Sequence, residues 1–313
     1  DMMHFSGCRG RLLIDSCYFA GAQDDAINIH GTNLKVVEKV SSNTLNMRFS
    51  HGQSYGFQAY FTGDTVAFVK ATTMERLSTA SVHSVKRLSD RIWQVKFDRE
   101  VPEWLEINHD CVENLTYTPS VEIRNNYFTR TSTRGTLVTT PRKVVIEKNT
   151  YYKVGMSAIL IEGDAEGWFE SGPVNDVLIR KNTFVDCAYN GGPGNAVIAI
   201  NPSNSVINAN RPVHKNIRIE NNLFKSFNTP LLFAKSTEGI LFANNTVERT
   251  MQLRFSAKND IMFYLNGCKD VTIRNVICKE GVSNKEIYID NMKRAYVKKQ
   301  VANTVKSLCA TYR

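Results

Sequence analysis

The chain has 313 residues, 42% of them hydrophobic and 22% charged, a globular balance that excludes wholesale disorder. The formal charge of +9 would suit an anionic partner, but Lys and Arg are scattered, and no zinc finger, helix-turn-helix or RNA-binding module is visible, so no nucleic-acid partner is expected. No apolar run approaches the roughly 18 residues of a membrane span.

The chain opens on Asp1, beside a motif and with no secretory signal, so the native N-terminal part, with any signal and the first turns of the fold, is expected to lie outside this sequence. The seven cysteines (8, 17, 111, 187, 268, 278 and 309) are odd in number and hold no C-x-x-C pair, so no metal knuckle is expected and packing is their simplest role.

One pattern recurs along the chain: an alternating apolar strand, then Asn or another polar residue, then an aromatic or apolar residue. It occupies residues 12–19, 121–128, 144–149, 177–184, 217–224, 240–245 and 271–275. The starts are 109, 23, 33, 40, 23 and 31 residues apart, which is 23 or 23 plus insertions of 86, 10, 17 and 8. A short Val/Ile-rich strand repeating about every two dozen residues, with Asn at its corner, predicts a right-handed parallel β-helix over 1–31 and 118–290. Asn suits the corner because it tolerates left-handed backbone and can bond to the copy stacked on it.

The first complete second strand follows Gln23-Asp24-Asp25-Ala26 and reads Ile27-Asn28-Ile29-His30-Gly31. Later copies fall about 14 residues after each first strand, and this spacing predicts columns. Ile27, Thr136, Ile159 and Val197 stack, as do Ile29, Val138, Ile161 and Ala199. Asp25, Arg134, Ser157 and Asn195 form a third column, and His30, Thr139 and Glu162 an outer one. Asp24 stacks on Asp1, 23 residues earlier. By parity Asp24, Asn28 and His30 point outward, whereas Asp25 faces inward unless the corner turns it.

Residues 32–117, far too long for a loop, carry strand-like runs at 34–40, 44–49, 65–69, 81–88 and 92–97. They predict a small antiparallel β-barrel inserted directly after the acidic motif, whose connection 51–56 could overhang it. The stretch 163–172 combines Asp164, Glu166 and Glu170 with Trp168 and flanking Gly, and residues 189–212 are rich in Gly and Asn; such loops on a solenoid edge are where binding surfaces form. Residues 291–313 form a C-terminal segment whose Lys293-Arg294 and Lys298-Lys299 read as a solvated basic face.

Stacked carboxylates repel unless a ligand, a metal, shared protons or a cation offsets them. Asp1, Asp24 and Asp25, with Arg134 one coil on, are therefore a functional-site candidate. Two carboxyls with divergent pKa values are what glycoside hydrolysis needs. Trp168 could stack on a sugar face or pack on its own loop. Glu162, Asp164, Glu170, His30 and Asn195 are candidates to bind sugar hydroxyls, each also readable as a solvated or structural side chain.

Asp1 and the run 23–31 resemble the acid triad of polygalacturonase-type inverting hydrolases. The closer resemblance is to glycoside hydrolase family 110, the α-1,3-galactosidases that include blood-group-B-cleaving enzymes of gut bacteria. His4-Phe5-Ser6-Gly7-Cys8-Arg9-Gly10, Asp24-Asp25-Ala26-Ile27-Asn28, the inserted barrel, Arg134-Gly135-Thr136-Leu137 and the 163–172 loop carry it. The resemblance implies a metal- and cofactor-independent, inverting exo-enzyme acting on a glycan, blood-group-B type or linear, in a secreted, periplasmic or cell-surface bacterial protein. It implies Asp1, Asp24 and Asp25 as catalytic acids, and by the polygalacturonase analogy Asp24 as general acid with Asp1 and Asp25 holding the water. Two other classes stay open: a Ca²⁺-dependent β-helix polysaccharide lyase and a non-catalytic glycan-binding solenoid. A homo-oligomer is also open, because flat β-helix faces often pair.

Overall fold

The computed structural model describes residues 1–251, 261–282 and 286–300. Cys309 and residues 301–313 of the C-terminal segment lie outside the described residues.

The chain winds as a parallel β-helix with three sheets. An eight-stranded sheet is built from Arg11–Asp15, Ser120–Arg124, Val144–Glu147, Val177–Arg180, His214–Glu220, Thr237–Ala243, Lys269–Arg274 and Val297–Gln300, all parallel. A seven-stranded sheet follows each corner and runs from Tyr18–Ala20 to Ile277–Cys278. The third sheet carries the strands after the second corner, among them Met3–Ser6, Ile27–Ser41, Thr136–Val138 and Ile159–Ile161. The spacings of 109, 23, 33, 40, 23 and 31 are those of the first sheet's register, from Leu12↔Val121 to Ile240↔Val271.

The corner divides the expected work of Asn between two consecutive positions. The first is left-handed, with φ between 50° and 56° at Ser16, Asn125, Lys148, Lys181, Asn221, Asn244 and Asn275. The second is a buried ladder of Asn126, Asn149, Asn182, Asn222 and Asn245. From Asn149 on, each rung's carboxamide oxygen accepts from the backbone N–H and Nδ2 of the rung before it, as Asn182 does from Asn149 at 2.9 and 3.0 Å, so the bend satisfies its buried amides. Beside the ladder, Phe19, Phe128, Tyr151, Phe184, Phe224 and Phe242 stack ring on ring through the core, 4.5–5.8 Å apart.

Ile27–Ser41 leaves the solenoid without a break and becomes a barrel strand. It pairs with Thr44–Arg48, which pairs with Ile92–Phe97, then Glu75–Arg87, Thr65–Lys70 and Cys111–Asn114, and the last returns to it. Every pairing is antiparallel and the ring of six closes, leaving no open edge. The closing strand, Cys-Val-Glu-Asn, is short and half polar and gives no alternation signal in the sequence. The barrel has its own apolar core around Leu34, Met47, Tyr60, Phe68, Trp93 and Phe97.

Two expected registers are wrong by one residue. Met3 pairs with Ile27, an offset of 27 − 3 = 24 and not 23, so Asp1 stands opposite Asp25 and not Asp24; the Met2 amide accordingly donates to the Asp25 carbonyl at 3.0 Å. Ile159 pairs with Ile198 and Ile161 with Ile200, so Ile198 and Ile200 replace Val197 and Ala199 in the inward columns. The cause is a 3-10 turn at Pro193–Asn195, which takes one more residue than the strand spacing allows. Ala196, whose carbonyl accepts from Ser157 at 2.8 Å, takes the column place expected for Asn195.

Candidate active site

Asp24 and Asp25 lie in the bend before Ile27–Ser41, and Arg134 lies in the equivalent bend one coil on. The Ala26 amide donates to the Arg134 carbonyl and the Ile27 amide to that of Gly135, both at 3.2 Å. Gly135 is required here, because a Cβ would lie 2.7 Å from the Ala158 carbonyl and 2.8 Å from the Tyr151 ring. Backbone pairing therefore sets Arg134 against Asp25. Its Nη2 donates to Asp25 Oδ2 at 2.9 Å. Nε is 2.6 Å from Oδ1 but off the N–H line, an ion contact and not a second hydrogen bond. Nη2 is also 3.7 Å from Asp24 Oδ1. The Asp25 side chain has no solvent exposure, whereas that of Asp24 is 58% exposed. The corner thus turns Asp25 to Arg134 while Asp24 stands at the mouth.

The 163–172 loop is held from both ends. Ser171 pairs antiparallel with Gly31 and Glu170 with Thr32; a Cβ on Gly31 would meet Ser171 Oγ at 2.4 Å. Asp164 caps the loop, accepting from the amides of Glu166 and Gly167 at 2.7 and 2.9 Å, from that of Trp168, and from Ser203 Oγ at 3.0 Å. Its carboxylate is spent inside the loop and does not line the cleft, which corrects its expected place among the sugar-binding groups. Trp168 is half exposed and stacks 3.8 Å from the His51 ring of the barrel connection, so barrel and loop close one wall together.

The cleft so formed measures about 440 Å³, within the range of small-molecule sites. Asp1, Asp24, Asp25, Arg134, Glu162, Trp168 and Glu170 line it, joined by His4, Asn28, Gln53, Ser54 and Pro193. His30 stands behind this wall at 4% exposure, between His4 and Glu170, and not on the cleft surface where the outer column was expected to put it. Asn195 is exposed and outside the cleft for the register reason given above. His4, which the sequence offered only as a candidate comparable to His30, lines the cleft, brought there by the 24-residue offset. Gln53 and Ser54 come from the barrel connection 51–56, which overhangs the acids as expected. A larger groove of about 590 Å³, lined by Met74, Arg76, Pro173 and Arg211, gathers no cluster of acids, so convergent titratable groups favour the smaller cleft.

Burial dominates the electrostatics. It pushes the Asp25 carboxyl up to about 6 against the pull of Arg134. It pushes Glu162 up to about 7, again opposed by Arg134, and it raises Glu170. Five carboxyls face one guanidinium among the lining residues, so the cleft is acidic although the chain is basic. Two groups could be imagined to share a cation: Asp1 with Asp24 and Asp25, and His4 with His30 and Glu170, each within 4.8 Å. In the second, the imidazole nitrogens are 2.7 Å apart, a hydrogen-bond distance. Two nitrogens on one tetrahedral ion with bonds near 2.0–2.1 Å would sit about 3.3 Å apart.

A pH test of this burial follows. The folded pKa of Glu162, about 7, exceeds the unfolded value of about 4.3, so the native state binds more protons between them and its stability falls as pH rises through that window. Glu162→Gln removes the penalty. Urea titrations should find the variant more stable than the parent by roughly 3 kcal/mol at pH 8 and equal to it near pH 4. A gap independent of pH would contradict the assignment.

A family profile described as GLAA-B beta-barrel domain II matches residues 44–112, inside the barrel. Alpha-1,3-galactosidase A of Bacteroides fragilis (strain YCH46) is 65% identical over 306 residues, 98% of this chain and 50% of that protein. This likeness bears out the resemblance to glycoside hydrolase family 110. A second relative, alpha-1,3-galactosidase B of Bacteroides thetaiotaomicron, is 38% identical over 308 residues, 95% of this chain and 48% of its own. The chain thus spans about half the length of the curated relatives it matches. Among solved structures, the tailspike protein gp49 from Pseudomonas phage LKA1 aligns over 90% of this chain and 69% of that one at 11% identity, with a TM-score of 0.20, too low to bear on the fold. The β-helix is read from the strand pairing itself.

Proposed function

We propose that this chain carries the active site of an inverting exo-glycosidase that releases terminal α-1,3-linked galactose from glycans, blood-group-B type or linear. The observation that carries the reading is the convergence of Asp1, Asp24 and Asp25 on one cleft beside Arg134. The names of the relatives supply the linkage and the sugar. A glycan substrate would place the protein where glycans are met, in secreted, periplasmic or cell-surface form.

In this reading galactose enters the cleft with its glycosidic oxygen toward the mouth, where the aglycone leaves. Asp24 is the acid at the mouth and protonates that oxygen. Asp1 and Asp25, neighbours on adjacent coils, hold the water that attacks the anomeric carbon from the opposite face. Arg134 keeps Asp25 ionised, as its role requires. Glu162, protonated over much of the working range, donates to a sugar hydroxyl, and Trp168 offers its ring to the apolar face of the sugar.

The cleft disfavours a lyase acting on an acidic polymer, because those of its carboxyls that are ionised outweigh the one guanidinium and would repel it. Incubation with an α-1,3-linked digalactoside and, separately, with a uronate-containing polymer, each with and without a chelator, separates the readings. Free galactose released at an undiminished rate supports the hydrolase; chelator-sensitive formation of unsaturated products would replace it with the Ca²⁺-dependent lyase. Sugar binding without turnover would leave a glycan-binding solenoid.

A further inference from the structure

The barrel reaches the cleft through one loop, and one side chain clamps that loop. Residues 51–56 leave the barrel after the strand Thr44–Arg48. The Phe49 amide fastens the base of the loop, donating to the Arg91 carbonyl at 2.9 Å, and the Phe49 and Phe57 rings pack 4.8 Å apart beneath it. The Arg91 side chain fastens the tip. Nη1 donates to the His51 carbonyl at 3.0 Å and Nη2 to that of Gly52 at 3.4 Å, while Cζ lies 3.6 Å from the centre of the Tyr55 ring. These three contacts together need a planar fork. Within the loop the Gln53 amide donates to His51 Nδ1 at 3.3 Å, and the His51 ring rests on Trp168. The clamped residues 51, 52 and 55 thus bracket Gln53 and Ser54, the two that enter the cleft.

The lining of the cleft sorts by depth. Asp25, Asn28, Leu137 and Leu160 are buried and form its floor, whereas Asp24, Gln53 and Trp168 are exposed and form its rim. A sugar seated against the floor leaves its neighbour at the rim, beside the acid that protonates the bond between them. Gln53 brings a carboxamide to that level and Ser54 a hydroxyl, uncharged groups that both donate and accept, as sugar hydroxyls do. We propose that the 51–56 loop is the wall that binds the penultimate sugar, with Gln53 and Ser54 as its contacts and Arg91 as the positioning residue that holds them in place. The proposal rests on the reading of Asp24 as the acid at the mouth. A clamped loop is a preformed wall, so little further order is lost when the sugar binds.

The test has two arms in the full-length protein. Arg91→Ala should raise KM for an α-1,3-linked digalactoside about tenfold while kcat stays within about threefold. On a nitrophenyl α-galactoside, which has no second sugar, kcat/KM should change by less than about threefold. Gln53→Ala should reproduce the loss on the digalactoside. Equal losses on both substrates would make Arg91 a general support of the fold, and no loss on either would remove the wall; each result overturns the proposal. The second arm needs no substrate. Tyr55 and Phe57, 45% and 36% exposed, are chymotrypsin sites in and beside the loop. Cleavage there, followed by mass spectrometry, should be about tenfold faster in Arg91→Ala than in the parent, with cleavage elsewhere unchanged. A parent cut as fast as the variant would show a mobile lid and overturn the clamp. If the parent hydrolyses neither substrate, the proposed activity fails, while the chymotrypsin arm still decides whether Arg91 holds the loop.

Discussion

Asp24→Asn is expected to cut kcat on an α-1,3-linked digalactoside by about 10²–10⁴-fold while leaving the melting temperature within about a degree of the parent. Both halves come from where the side chain sits. It is 58% exposed and its recorded ion contact, with Arg134 at 3.7 Å, is too long and too solvated to add much stability. As the proposed acid at the mouth it would matter only when a leaving oxygen must be protonated. An α-galactoside with a nitrophenyl leaving group needs little protonation, so the variant should recover most of its rate on that substrate. Glu162→Gln and Asp25→Asn should not recover. If Glu162→Gln is the variant rescued, the acid lies deep in the cleft, and the roles of Asp24 and Glu162 exchange.

Arg134→Met should be the most damaging change outside the acids themselves. It removes the one guanidinium that touches Asp25, a carboxyl with no solvent exposure and a pKa already raised to about 6. Without that cation burial acts unopposed, the pKa climbs further, and Asp25 is protonated at neutral pH, where it can no longer hold water as a base. Activity at pH 6 should fall by about 10²-fold or more and recover in part as pH rises and Asp25 ionises again. Stability should move the opposite way. Below pH 6 the variant loses little, because a protonated Asp25 needs no partner. Above it, the unpaired buried charge costs up to about 3–5 kcal/mol, measurable in urea titrations at pH 5 and 8. Arg134→Lys should restore little activity, since a single ammonium cannot meet both carboxylate oxygens as the fork does. A loss of activity independent of pH would contradict this account of Arg134.

What could be read from the chain before folding follows from where the physics is local. The Asn corner, the Val/Ile alternation and the spacing of 23 residues repeat, so the solenoid and the register of its first sheet were legible to the residue. The second-corner sheet was less so, because its connections vary. One extra residue in the Pro193–Asn195 turn removes Asn195 from its column, and an offset of 24 sets Asp1 against Asp25 and not Asp24. The clustering of the acids was legible all the same, since neighbouring coils are close whichever of the pair is opposite.

Three things depended on contacts that no repeat encodes. Asp164 looks like a sugar-binding acid in a Gly-rich loop, but three amide hydrogens of its own turn claim it. His30 has the parity of an outward residue, but the Glu170-Ser171 strand folds over it and buries it. The barrel closes through Cys111–Asn114, a strand with no alternation to reveal it, although the overhang of 51–56 that brings Gln53 and Ser54 to the cleft was legible.

The most direct test of the central claim, that these acids hydrolyse an α-galactosidic bond with inversion, is time-resolved 1H NMR of an α-1,3-linked digalactoside, observing the anomeric signals before mutarotation. β-Galactose as the first product is the predicted result. α-Galactose first would contradict the water-holding role given to Asp1 and Asp25, and no galactose at all would contradict the hydrolase itself.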